Sequence, residues 1–272
     1  MIVFGLDLCY DGKKMQQGGT AMFYFERCYD LDELMRRNMH IHTNFSGCAK
    51  PEMTLEAIVR EAERCGLTDI AITDHSDIWM SDHTVATNEI LKQQRAALDT
   101  PVRIRIGAEM SLYGIGKYDR TPEEIAAMEY RLFAQNHYHL DVWEQPEDRS
   151  AQGYANHILA CLEGLFKTGY ADCVAHPIAP EKFGRIRRLE DPAQILDYFN
   201  DNVLGDIMEK GEKAGCAWEL HRGCIYLFPE FSRRYYNIGR EVGVHFNFAA
   251  DAHKLEDIDP EPVKELYKRA LL

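Results

Sequence analysis

The sequence is short of positive charge: 31 Lys and Arg stand against 44 Asp and Glu, a formal net charge of −13. So acidic a chain offers no broad basic face, which argues against binding along nucleic acid or to an anionic membrane surface. An anionic substrate is still compatible, because bound divalent cations reverse the sign locally. No apolar run approaches the length that crosses a bilayer. The opening MIVFGLDLCYDGKK lacks the preceding basic segment and the longer apolar core of a secretory leader. The eight cysteines (Cys9, Cys28, Cys48, Cys65, Cys161, Cys173, Cys216, Cys224) include no C-x-x-C pair. Free thiols in a reducing compartment, the cytoplasm, are therefore expected over a disulfide framework. There is no G-x-G-x-x-G and no G-x-x-x-x-G-K-[ST], so the nucleotide-binding phosphate loops are missing.

What is present is an ordinary globular composition, 46% hydrophobic and 28% charged over 272 residues, which suits one large α/β domain. Residues 1–37 stand apart as a strand-rich N-terminal extension. Segments 2–9 and 20–27 read as two strands around the Gly- and Gln-rich 11–19, a probable-hairpin pattern. From residue 38 strands and helices alternate. Strands are expected at 38–42, 68–73, 102–106, 132–136, 171–175, 216–220 and 244–249. Thr54 caps a helix that runs to about Cys65 and stops at Gly66. Thr121-Pro122-Glu123-Glu124 opens another, with a capping Thr and Pro in the first turn. Further helices fall near 87–98, 154–168, 191–213, 229–242 and 260–271. Seven β-then-α units with short connections imply a parallel sheet with helices outside it. Without phosphate loops, a seven-unit barrel over 38–272 is favoured over an open nucleotide-binding sheet.

Catalytic groups of such barrels come from the C-terminal strand ends. In order, those ends offer His40 and His42; Asp74 and His75; Glu109; His137 and His139; His176; Glu219, His221 and Arg222; and Asp251 and His253. The two histidines of His40-Ile41-His42 face one side if the segment is a strand. A single His after a strand is usually a surface or packed residue. Six of the eleven histidines, His40, His42, His75, His137, His176 and His253, stand there in the pattern H-x-H, T-D-H, H, H-P and D-x-H, and with Glu109 alongside they point instead to a multinuclear metal site.

This ordered set, His40-x-His42-Thr43, Ile72-Thr73-Asp74-His75, Gly107-Ala108-Glu109, Asn136-His137-Tyr138, Ala175-His176-Pro177 and Asp251-Ala252-His253, resembles the PHP (polymerase and histidinol phosphatase) superfamily over about residues 38–255. The resemblance implies a distorted (β/α)7 barrel and two or three divalent ions (Zn, Mn or Fe) in its mouth. It also implies phosphoester hydrolysis, with a metal-bound hydroxide as nucleophile. Histidinol-phosphate phosphatases are the small stand-alone members nearest in architecture. Position by position, it implies His40, His42, Glu109 and Asp251 on one metal. Glu109 would bridge to a second, completed by His137 and His176, and His75 and His253 would hold a third. The family completes the third position with an Asp seven residues, or a His eight residues, after the first His. Gly47 and Cys48 stand there. Cys48 is either a thiolate ligand, favouring zinc or iron over magnesium, or a bystander. The aromatic Tyr138 favours His137 over His139 as the ligand, and Asp74 reads as a partner of ligands.

Lys182, Arg185, Arg187 and Arg188 follow the fifth strand, and Arg222 the sixth. Arg185 and Arg222 are the candidates for gripping phosphate oxygens; Asp251 and His253 are those for proton transfer. Trp79, Trp143, Tyr113, Tyr118 and Tyr138 either line a pocket or pack. The expected partner is a small phosphorylated metabolite, with no membrane and no long nucleic acid. The alternatives are a phosphodiesterase or exonuclease on nucleotides, an amide or ring hydrolase, and a non-catalytic metal-binding module. No lysine follows a strand where a carbamylated metal bridge would sit, which weighs against the amide hydrolase. Oligomeric state is not encoded in any readable motif.

Overall fold

The computed structural model describes residues 23–76, 84–178, 186, 189 and 191–272. The strand expected at 2–9 lies outside the described residues, as do Trp79, Lys182, Arg185, Arg187 and Arg188. The strands are β1 (Arg37–Ile41), β2 (Asp69–Ile72), β3 (Arg103–Gly114), β4 (Lys117–Tyr118), β5 (Tyr130–Ala134), β6 (Cys173–Val174), β7 (Ala217–His221) and β8 (Phe246–Ala249). All except β4 run parallel in the order β1-β2-β3-β5-β6-β7-β8. The ring closes where Ile41 bridges Ala252 and the His42 N–H donates to the Ala252 carbonyl at 3.0 Å. The expected seven-strand parallel barrel is thus observed.

Alternation along the strands sorts side chains into two apolar layers. Met39, Ala71, Tyr130, Leu132, Ala134, Cys173, Ala175 and Ala217 form the inner one. Larger residues, such as Ile70, Ile106, Phe133, Trp218 and Phe248, face the helices. Those helices are α1 (Leu31–Leu34), α2 (Leu55–Arg64), α3 (Thr84–Ala96), α4 (Pro122–Ala126), α5 (Ala151–Thr168), α6 (Asp201–Lys213), α7 (Arg222–Leu227), α8 (Pro229–Val242) and α9 (Glu261–Leu271). Helix α2 shows the logic. The Thr54 hydroxyl accepts from the Ala57 N–H, and Leu55, Ile58, Val59 and Ala62 make one buried stripe. No described helix is long and apolar enough to cross a membrane.

Three departures from expectation matter. The single helix expected over 191–213 is a 3-10 turn (Pro192–Tyr198) followed by α6, because Asn200 caps afresh, its side chain accepting from the Val203 N–H at 3.1 Å. The third strand does not stop at 106. It pairs with β2 through Arg103–Ile106, then with β5 through Gly107–Ser111, and turns back at Gly116 (φ 68°) into β4. The described part of the strand expected at 20–27 is no strand. Its alternating aromatics pack beneath the inner layer at the N-terminal end of the barrel. Phe23 stacks on His245 with centroids 3.5 Å apart, the Tyr24 hydroxyl donates to the Glu129 carbonyl at 2.5 Å, and Arg37 lies over the Phe25 ring. The barrel therefore has a closed floor and its chemistry sits at the other end.

Candidate metal centre

At the C-terminal end of the strands, ligand-type atoms gather in three groups. Within each, the atoms lie within 4.8 Å of one another: His40, His42, Glu109 and Asp251; Glu109, His137 and His176; and His42, Cys48, His75 and His253. Strand geometry brings them there. Between Asn38 and Ile41 the register of β1 shifts against β2. That shift lets His40 turn inward directly after the inward Met39, and His42 follows by alternation. Glu109 sits mid-strand in β3, two residues after the inward Gly107.

Glu109 is the hub. Its Oε1 lies 2.9 Å from His176 Nε2 and 4.0 Å from His137 Nε2. Its Oε2 lies 2.9 Å from His75 Nδ1, 3.5 Å from His40 Nε2 and 3.6 Å from His42 Nε2. Asp251 Oδ1 stands 3.1 Å from His42 Nε2 and 3.4 Å from His40 Nε2.

Four of the imidazoles are held by the nitrogen that faces away. His40 Nδ1 meets Glu219 Oε1 at 2.9 Å, and His42 Nδ1 meets the Ser46 hydroxyl at 3.3 Å. His176 Nδ1 meets Asn136 Oδ1 at 3.1 Å, and His253 Nδ1 meets the Asp251 carbonyl at 2.7 Å. The Ser46 hydroxyl is itself spent on Asp74 at 2.8 Å, so its oxygen is left to accept. Each Nδ1 therefore carries a proton, which leaves Nε2 as the ring atom turned to the cluster and open to a cation. Asp74 also accepts from the Thr43 N–H and hydroxyl, both at 2.6 Å, and so stands one hydrogen bond behind His42. His176 (φ 30°) and Asp251 (φ 53°) adopt left-handed backbone conformations, which cost non-glycine residues about 1–3 kcal/mol each and concentrate at functional sites.

These residues fit divalent cations. The His40 and His42 Nε2 atoms are 3.0 Å apart, close enough to share one proton or to face a common cation. Glu109 Oε2 is buried among three imidazoles, those of His75, His40 and His42, at 2.9 to 3.6 Å. Burial and neighbouring His75 push His42 down to about 3, so it stays neutral and ready to ligate. Burial pushes Glu109 up, but His75 and His40 outweigh it and hold the carboxyl well below its usual range. Burial pulls His40 down, while Glu219, Asp251 and Glu109 together lift it well above the usual imidazole value. A field that holds a buried proton this firmly calls for positive charge.

Residues 38–158 match the PHP domain family. Over that stretch the chain carries the sequence signature of a PHP domain. The structure is similar to that of hisK from Listeria monocytogenes, a candidate histidinol phosphatase, at 13% identity and a TM-score of 0.57, covering 82% of this chain and 97% of that one. A GH5-4 broad-specificity endoglucanase from Clostridium longisporum also aligns, at 9% identity over 90% of this chain and 100% of that one, but its TM-score of 0.31 carries no argument. No curated protein matches.

In the barrel mouth the sequence-derived set His40, His42, Cys48, His75, Glu109, His137, His176, Asp251 and His253 comes together, every member in at least one group. His139 is in none. Cys48 lies against His75 and His253. Burial pushes its thiol up, and hydrogen bonds to those two imidazoles more than offset that, bringing it from 9.0 to about 7. Arg222 opens α7 and pairs with Asp257 at 2.9 Å. Tyr138 and Trp143 are buried, Tyr138 against His157 and Trp143 with its N–H on the Gln135 carbonyl. A further grouping on the surface, Glu61, Cys65 and Asp259, is already spanned by Arg64, 2.7 Å from each carboxylate.

Sequence reasoning named Glu219 and His221 as strand-end residues but gave them no role. Both face inward from β7, alternating with the outward Trp218 and Leu220. His221 Nε2 lies 3.6 Å from Asp251 Oδ2. The period-two pattern Ala217, Glu219, His221 was the available signal.

Proposed function

We propose that this protein hydrolyses a small-molecule phosphomonoester with the help of two or three divalent ions. The observation that carries the reading is the set of inward imidazole nitrogens around the buried Glu109 and the part-buried Asp251. His40, His42, Glu109 and Asp251 would hold one ion; Glu109, His137 and His176 a second; Cys48, His75 and His253 a third. Ions so held activate water, screen the phosphate oxygens and stabilise the leaving alkoxide. The chain's own residues do the rest. Glu109 offers one oxygen to each of two groups and so fixes their separation. Ser46, Asn136 and the Asp251 carbonyl keep their imidazoles turned. Asp251 and His253 stand at the partly open rim, with side chains 12% and 31% exposed, where a proton passes between the site and solvent. Arg222, with Arg185 on the segment outside the described residues, supplies the cations for the phosphate.

The test is a phosphoester screen of the metal-loaded protein. Phosphomonoesters, p-nitrophenyl phosphate and histidinol phosphate among them, should be cleaved, the bis-ester should not, and a chelator should abolish turnover. The likeness to the Listeria protein places histidinol phosphate in that panel. Full metal content with no hydrolysis of any phosphoester would sink the reading; cleavage of the bis-ester alone would replace it with a phosphodiesterase.

The third group is the one with a sulfur donor. A thiolate with two imidazoles prefers zinc or iron to magnesium. Cobalt-substituted protein is expected to show a thiolate-to-cobalt charge-transfer band in the near ultraviolet. Cys48→Ser should lose that band while the other two ions stay bound. An unchanged spectrum would make Cys48 a bystander.

A further inference from the structure

Glu219 belongs to none of the three ligand groups, yet it touches two of them from behind. It is 1% exposed, inside β7. Its Oε1 lies 2.9 Å from His40 Nδ1, and its Oε2 accepts from the His176 backbone N–H at 2.5 Å. His40 serves the group with His42 and Asp251; His176 serves the group with His137; Glu109 belongs to both.

Each contact fixes something a ligand needs. A carboxylate oxygen facing Nδ1 accepts, so His40 carries a proton on Nδ1 and turns Nε2 toward the cluster, the atom a cation would take. At His176 the carboxylate anchors the amide in the left-handed turn (φ 30°) from which the ring reaches Glu109 at 2.9 Å. Without that acceptor a buried N–H would be left unpaired, and the turn would gain by relaxing away from the cluster. The other holders act within one group: Ser46 turns His42, Asn136 turns His176, and the Asp251 carbonyl turns His253.

We infer that Glu219 is a positioning residue that couples the two Glu109-containing sites, so that two ions are gained and lost together. The inference rests on the metal reading proposed above. It depends on two acceptor oxygens, not on volume. Glutamine fills the same space but offers one oxygen and one NH2 group. Whichever way it turns, either the His176 N–H faces a donor or His40 is driven to the tautomer whose Nε2 carries a proton.

The experiment is zinc titration of the metal-free protein against a competing chelator, comparing wild type with Glu219→Gln, with thermal unfolding of the metal-free forms as a check on folding. Glu219→Gln is expected to fold and to lose about 10- to 100-fold in affinity at two sites together. Wild-type affinity and stoichiometry in Glu219→Gln, or weakening of a single ion, would overturn the coupling while leaving the metal reading intact. A wild-type protein that takes up no ion would overturn both. If Glu219→Gln does not fold, the imidazole nitrogens of zinc-loaded wild type decide by NMR. A protonated, hydrogen-bonded Nδ1 and a metal-bound Nε2 on His40, with a strongly downfield His176 amide proton, support the inference; either signature missing overturns it.

Discussion

Glu109→Gln is expected to cut kcat/KM for the best phosphomonoester by about 10³-fold, because the several kcal/mol that ions give to a developing phosphate charge go with them. The argument is geometric. Glu109 offers Oε1 to His176 and His137 and Oε2 to His40, His42 and His75. No other described carboxylate belongs to two of the three groups that could hold an ion around the barrel mouth. Gln keeps the volume and removes the charge, so the fold should survive while the bound-metal count falls by two. Steady-state kinetics and elemental analysis on the same preparation check this. His139→Ala, altering a histidine outside every group, should leave both values as they are. A Glu109→Gln protein with full metal content and wild-type turnover would refute the assignment.

Gly107→Ala is expected to have the largest effect on stability, a loss of about 3 kcal/mol or more, at the upper end of overpacking. Gly107 is where β3 changes partner from β2 to β5, and it lies opposite Tyr130. A Cβ there would stand 1.8 Å from the Tyr130 carbonyl oxygen and 2.7 Å from its carbon. Both are backbone atoms of a central strand and cannot swing aside as a side chain could. The register that sets Glu109 opposite Leu132 would have to break. Denaturant unfolding of the two proteins measures the loss; a difference within about 0.5 kcal/mol, the usual range of a harmless surface change, would contradict it.

Much of this site could be read along the chain because its ligands are local signals. His40-Ile41-His42 on a short strand, and single histidines after each apolar run, need only strand alternation to be placed. The count of seven strands followed from the same rhythm. What escaped the sequence depends on distant partners. Glu219 looks like any strand carboxylate until His40, 179 residues earlier, turns its Nδ1 to it. The continuation of β3 past Gly107 depends on β5 arriving alongside. Asn200 within 191–213 reads as helical filler unless its side chain is seen to cap. Phe23 and Phe25 alternate as a strand would, and only the barrel above them makes them a plug.

That plug has a consequence for traffic. With Phe23, Tyr24 and Phe25 stoppering one end of the vessel, the proposed hydrolysis would have ester, alcohol and inorganic phosphate pass by the opposite end. A released phosphate would then leave along the path by which the next ester arrives, and the two would compete for the same cations on the threshold.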